Sequence, residues 1–310
     1  MGKFAIKLLL FAAIFLIFDK LFIIVAHFSA EAETDKRLEY LVNGEINKDI
    51  IIVGSSTGSR DIIASQIEDS TGLSTYNLCY PGSNVEFHEF LMRILVKFNE
   101  SPKLVLLVVD DNIELLHDES IIFRKDRLYP LVKYPYIWKE LAKREDRDKF
   151  FSNFLVLNRL NKYNFDLREK RFTPIDTVQD CGSMPISWKP EDMEFDYVSG
   201  ERIYPEDEEL PEKLEAFTRI IETCNSNDIN LVVIFPPIYQ NHSKSFENRI
   251  KELSGEGAYF YIYNTENPIY RNEDNYFDET HLMQDAAIEF TNELVIYLND
   301  LIENEINITN

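Results

Sequence analysis

Two short stretches carry the residue types of nucleophilic chemistry. In "GSSTGSR", Ser55 and Ser56 stand directly after the β-branched run Ile50-Ile51-Ile52-Val53. In "FDETH", Asp278 precedes His281 by three residues, and 222 positions separate Ser56 from Asp278. A serine hydroxyl attacks a carbonyl when a general base takes its proton, an acid orients that base, and donors meet the developing oxyanion. Of the five histidines, only His281 has a carboxylate three residues before it in a segment that must turn before a helix. Such a turn folds Asp278 onto one imidazole nitrogen and leaves the other free to accept a proton. Each stretch also has a plainer reading. Serine and threonine are favoured helix caps, and Asp278 or Thr280 could cap the last helix with His281 incidental.

The elements that must position these residues follow from hydrophobic patterning. Strands are expected at 49–54, 74–79, 103–110, 230–235 and 258–263, and helices at 58–68, 84–99, 209–226, 242–253 and 284–304. Near-continuous apolar runs such as "LVLLVVD" and "LVVIF" point to a parallel sheet covered on both faces, hence an α/β fold. Gly54 is expected to let the chain turn sharply after the first strand, which puts the serines at a strand-to-helix junction. Open α/β sheets bind their ligands at such carboxyl ends. Residues 113–205 hold no convincing strand but several Tyr and Trp residues, and read as an insertion or lid over that edge of the sheet. These aromatics suit either a small core of their own or stacking on sugar rings.

In this order the motifs resemble the SGNH hydrolase family, also called GDSL-like. Gly54-Ser55-Ser56 matches its Gly-Asp-Ser block, "YNLCYPGSN" its second block, "VVDDNIE" its Gly-x-Asn-Asp block and "FDETHLMQDAAIEFTNEL" its last. The resemblance covers roughly residues 49–112 and 206–304. It implies a three-layer α/β/α sandwich on a five-stranded parallel sheet and a catalytic triad of Ser56, His281 and Asp278. It also implies an oxyanion hole built from the Ser56 and Gly82 amides and the Asn112 side chain. Asp110 and Ile113 depart from the third block, where the family has glycine and aspartate. No metal or cofactor is implied. Asp110 and Asp111 are adjacent at a strand end and are expected to point to opposite sides, which disfavours a shared ion.

Composition limits the partners. A net charge of −22 on 310 residues argues against nucleic-acid binding through phosphate contacts. The three cysteines form no CxxC, and Cys79 and Cys224 read as core residues. "GSSTGSR" lacks both the P-loop lysine and the G-x-G-x-x-G spacing, so a phosphate loop is a poor reading.

Residues 4–28 are almost wholly apolar and long enough to span a ~30 Å hydrocarbon core. Asp19 and Lys20 each oppose insertion by roughly 3 kcal/mol, while 17 Leu, Ile, Phe and Val residues each favour it by roughly 0.3–0.6 kcal/mol. The sum permits an uncleaved anchor at 1–28, followed by a juxtamembrane segment at 29–48 and the SGNH-like domain at 49–310. Lys3 and Lys7 before the main apolar run and Glu31, Glu33 and Asp35 after it orient the catalytic domain outward. The expectation is a single-pass, extracytoplasmic acyl-ester enzyme that takes an acylated carbohydrate or other acyl donor. It is similar to proteins of polysaccharide O-acetylation and of D-alanyl transfer to teichoic acid, which implies envelope-assembly partners. The alternative is a non-catalytic scaffold or glycan-binding subunit on the same fold.

Overall fold

The computed structural model describes residues 2–306 except 167, 169, 170, 191, 192 and 201, so the extreme ends of the expected anchor and domain lie outside the described residues. The first half of the chain forms α1 (Gly2–Glu31), α2 (Arg37–Asn43), β1 (Ile50–Val53), α3 (Ser56–Asp61), α4 (Ala64–Thr71), β2 (Thr75–Asn77), α5 (Val85–Phe98) and β3 (Leu104–Val108). There follow α6 (Lys125–Leu128), α7 (Pro135–Arg144), α8 (Lys149–Phe154), α9 (Pro211–Ser226), β4 (Asn230–Phe235), α10 (Lys244–Ser254), β5 (Tyr259–Ile262) and α11 (Gln284–Asn304). The chain divides into two bodies, one of residues 1–39 and 124–171 and one of residues 40–123 and 172–310.

The larger body holds five strands, all parallel, in the order β2-β1-β3-β4-β5. All five lie where the apolar runs place them. Ile50, Ile52, Leu104, Leu106, Val232 and Ile234 form a core with Ala287, Phe290, Leu294 and Leu298 of α11. The alternate residues Ile51, Val105, Leu107 and Val233 are equally buried, so both faces of the sheet are covered. From β1 the chain steps to β2 and then crosses back to β3. The direction of winding therefore reverses between β1 and β3, which is where such sheets open a crevice at their carboxyl ends.

Two expectations change. The helix anticipated at 58–68 is broken into α3 and α4, with Ile62 extended at φ −118° and ψ 122°. Side chains from elsewhere take up the amides freed by the break. Ile63 N–H donates to Thr291 Oγ1 at 3.1 Å and Ala64 N–H to Ser183 Oγ at 3.0 Å. Gly54 is not in a left-handed conformation. Glycine is needed there for close approach, because a Cβ would lie 2.8 Å from the Val108 carbonyl oxygen and 2.9 Å from Val108 Cβ.

The segment anticipated as one insertion, 113–205, is divided between the bodies, with 124–171 grouping with the N-terminal helix and the remainder with the sheet. In the smaller body α1 continues to Glu31, and an 18-residue window of it has a mean hydropathy of 2.7, long and apolar enough to cross a membrane. Arg37 makes a buried bidentate pair with Asp35 at 2.9 and 2.7 Å. Trp138 is buried beneath the Arg159 guanidinium, 4.5 Å from its ring centre, so this aromatic serves the local core. Trp188, in the larger body, is exposed.

Gly58 gives a test of the packing that seats α3. Helix propensity alone favours Gly58→Ala by about 1 kcal/mol. A Cβ there, however, would meet Cys79 Sγ at 2.6 Å and Val108 Cγ2 at 3.0 Å. Overpacking of this kind costs about 1–3 kcal/mol. The expected outcome is a lower melting temperature for full-length Gly58→Ala in detergent, and a raised one would contradict the close contact of α3 with β3.

Candidate active site

The crevice at the ends of β1 and β3 is a cavity of about 280 Å³, near the lower end for small-molecule clefts. Ser55, Ser56, Arg60, Gly82, Asp110, Asp111 and His281 are among its walls. Ser56 is the first residue of α3, so its N–H has no partner four residues back. It is also the one residue between 50 and 64 that is not buried. Gly82 sits in the turn after β2 at φ +68°, and its carbonyl accepts the Ile122 N–H at 2.9 Å.

Burial separates the two serines. Ser55 is wholly buried, and its hydroxyl donates to Asp110 Oδ1 at 2.6 Å. Thr57 donates to the same oxygen at 3.0 Å, while Ser59 donates to the Ser56 carbonyl at 3.0 Å. None of these side chains caps α3, although that role was open to Ser55, Thr57 and Ser59. Among the described residues, the hydroxyl that remains uncommitted at the cavity is that of Ser56.

The Asp278–His281 turn closes locally. His281 Nδ1 lies 2.8 Å from both carboxylate oxygens of Asp278. Asp278 Oδ1 also accepts from Thr280 N–H at 2.9 Å, Thr280 Oγ1 at 3.0 Å and His281 N–H at 3.0 Å. Burial acts to raise the pKa of Asp278, but His281 and the Thr280 donors outweigh it and hold the carboxyl at about 2. The helix-cap reading of Asp278 and Thr280 fails, since α11 starts at Gln284 after Met283 with no side-chain cap. His281 Nε2 is buried and has no hydrogen-bond partner among the described residues, so no bond joins it to Ser56. Asp61, five residues after Ser56, accepts the Leu282 N–H at 3.0 Å and so ties the helix of the serine to the turn of the histidine.

Asn112 stands apart from the other anticipated residues. Its neighbours Asp110, Asp111 and Ile113 line the cavity, but Asn112 is not among the lining residues, and its backbone is left-handed at φ +55°. Asp110 and Asp111 both line the cavity yet take separate partners, Ser55 with Thr57 for the first and Arg202 for the second.

A buried polar circuit beneath the cavity was not anticipated. Asp110 N–H donates to Glu114 Oε2 at 2.8 Å, and Glu114 Oε1 approaches His88 Nδ1 to 3.4 Å. His88 Nε2 pairs with Ser83 Oγ at 2.9 Å, and Ser83 Oγ donates to the Gly54 carbonyl at 3.2 Å. The chain thus returns to the residue before Ser55. The only sequence signal was a histidine and two acids near strand ends, since their convergence requires the sheet. Arg60 was also missed. It is buried one turn after Ser56, with Nη2 3.3 Å from Asp176 Oδ1 and Nε without a hydrogen-bond partner among the described residues.

Burial and the neighbouring Glu114 push the Asp110 carboxyl up to about 7, against the opposing pull of Ser55, His88 and Thr57. A carboxyl whose pKa is raised on folding stabilises the fold fully below its unfolded value, about 4, and loses that contribution as pH rises through its folded value. Asp110→Asn keeps an acceptor for Ser55 and Thr57 but cannot titrate. The unfolding free energy of the variant minus that of the parent is therefore expected to rise from pH 4 to 7 and level off above it. A difference that is flat with pH would rule out a proton held on Asp110.

Searches against protein-family models and against curated proteins found no match to this chain.

Proposed function

We propose that this chain is a membrane-anchored serine acyl-ester enzyme of the SGNH type, an O-acyltransferase or esterase acting on envelope polysaccharide from the extracytoplasmic side. One observation carries the reading. Ser56 and His281 line one cavity, the Ser56 hydroxyl and His281 Nε2 have no hydrogen-bond partner among the described residues, and Asp278 holds the other imidazole nitrogen. The parallel sheet with its switch point at β1 and β3 is the scaffold an SGNH-like sandwich requires. Fold and residue types alone do not select a substrate, so the polysaccharide rests on the family resemblance and the apolar helix.

In this mechanism Ser56 Oγ attacks an ester carbonyl while His281 Nε2 takes its proton, and Asp278 stabilises the resulting imidazolium. The Ser56 and Gly82 N–H groups donate to the oxyanion, each such donor being worth about 3 kcal/mol. Asn112 joins them only on a rearrangement of the turn after β3. The tetrahedral intermediate expels the alcohol, which leaves with the proton from His281, and the acyl group stays on Ser56. Water then yields the free acid, or a sugar hydroxyl yields a new ester, with His281 again taking and returning a proton. Catalytic hydrogen bonds commonly tighten only in the substrate complex, which accommodates the unmade Ser56–His281 bond.

A fluorophosphonate probe on the full-length protein in detergent is expected to form one adduct, at Ser56. Ser56→Ala should abolish it, and Asp278→Asn should slow acyl-ester turnover by roughly 10⁴-fold. Absence of labelling in the folded parent would favour the non-catalytic scaffold or glycan-binding reading. Release of free acid without a glycan acceptor marks an esterase, and product formed only with one marks a transferase.

A further inference from the structure

The environment of α1 changes sharply at Asp19. From Phe4 to Phe18 every residue is exposed around the whole circumference of the helix. Asp19, in contrast, is 2% exposed. Its carboxylate accepts the Val156 N–H and the Leu157 N–H, each at 2.9 Å, and Lys20 donates to the Phe154 carbonyl. Further along, Phe22 meets Phe165 edge-on at 6.4 Å, and Asn164 Nδ2 donates to Ser29 Oγ at 3.2 Å. The two charges that oppose insertion are thus committed to the backbone of residues 154–157, which this contact brings against the helix.

That same segment turns several of its apolar side chains outward, although Val156 is buried. Phe150, Phe151, Phe154 and Leu157 are 63%, 52%, 58% and 42% exposed. The Phe150 ring packs against Phe151 and Phe154 at 5.7 and 4.6 Å, making a continuous patch rather than scattered residues. Phe154 shares a hollow with Leu16, Ile17 and Leu21, so the patch is continuous with the apolar surface of α1. Contiguous apolar surface of this kind marks a binding face, and here it adjoins the surface that faces acyl chains if α1 spans a bilayer.

We propose that residues 149–157 form a collar that dips into the membrane boundary beside α1, and that the hydrocarbon crossing runs from Phe4 to about Ile23 rather than to Phe28. The occupant of the patch is the lipid boundary itself. A ~30 Å core takes about 20 helical residues at 1.5 Å each, which from Phe4 ends near Ile23. Asp19 then lies about 6 Å beneath the boundary, within the ~5–10 Å depth reached by interfacial segments. At that depth a bare carboxylate is strongly disfavoured, and the Val156 and Leu157 amides supply the partners that lipid cannot. The collar rests on the reading of α1 as a membrane span.

Spin labels test both separately. Leu10→Cys, Phe154→Cys and Ile203→Cys are each made in full-length Cys181→Ser, in which Cys79 and Cys224 are buried, and reconstituted into phosphatidylcholine–phosphatidylglycerol vesicles. Collision rates with oxygen and with a water-soluble nickel chelate then report depth. Position 10 is expected deep in lipid, position 203 in water, and position 154 between them within ~10 Å of the headgroups. If position 10 is in lipid while 154 matches 203, the collar is wrong and the span stands. If position 10 also matches 203, the span fails and the collar with it. A label at 154 shielded from both reagents means protein covers the patch, which overturns the proposal. Phe150→Cys repeats the measurement should Phe154→Cys misfold.

Discussion

The constraint on which the site depends is the buried carboxylate of Asp110 at the end of β3. A buried carboxyl group must find donors, and Asp110 finds them in the hydroxyls of Ser55 and Thr57 at the end of β1. Meeting that need decides the rest of the junction. Ser55 is turned inward and its hydroxyl is spent, Ser56 is left at the cavity, and the two strand ends between which the winding reverses are joined by side chains. Through Glu114, His88 and Ser83 the chain of contacts returns to Gly54. The circuit is only partly satisfied, since Asp110 Oδ2, His88 Nδ1 and Glu114 Oε1 are buried without a hydrogen-bond partner among the described residues.

Above this circuit, the Asp278–His281 turn needs little from the rest of the fold for its internal geometry. Four donors converge on Asp278 Oδ1 within four residues, so the imidazole is oriented by its own turn. What the fold adds is placement. The Leu282 amide on Asp61 and the Glu279 carbonyl accepting the Tyr239 N–H bring the turn to the mouth of the sheet. Nε2 is thereby buried without a hydrogen-bond partner among the described residues. Orientation is local, and placement at the cavity is tertiary.

The smaller body obeys the same rule. Asp19 and Lys20 read as defects in an apolar helix until their partners are seen. Both are satisfied by main-chain groups of residues 154–157, so the helix and the segment contributed by 124–171 form one unit.

The sequence by itself determined the five strands, their parallel class and the positions of their ends, because a strand buried on both faces must be a continuous apolar run. It offered the Asp278–His281 pair beside a helix-cap reading, and the structure decided between them. It left Ser55 and Ser56 equivalent as chemical groups, and only the family resemblance favoured Ser56 there. The break at Ile62, the close approach at Gly54, the setting of Asn112 off the cavity and the link between 124–171 and α1 were decided by tertiary structure alone. Each depends on a partner far away in the chain: Thr291 and Ser183 for the freed amides, Val108 for the glycine, Val156 and Leu157 for Asp19. Periodicity reports which residues are buried, but which groups then face each other is set only when the sheet brings its strand ends together.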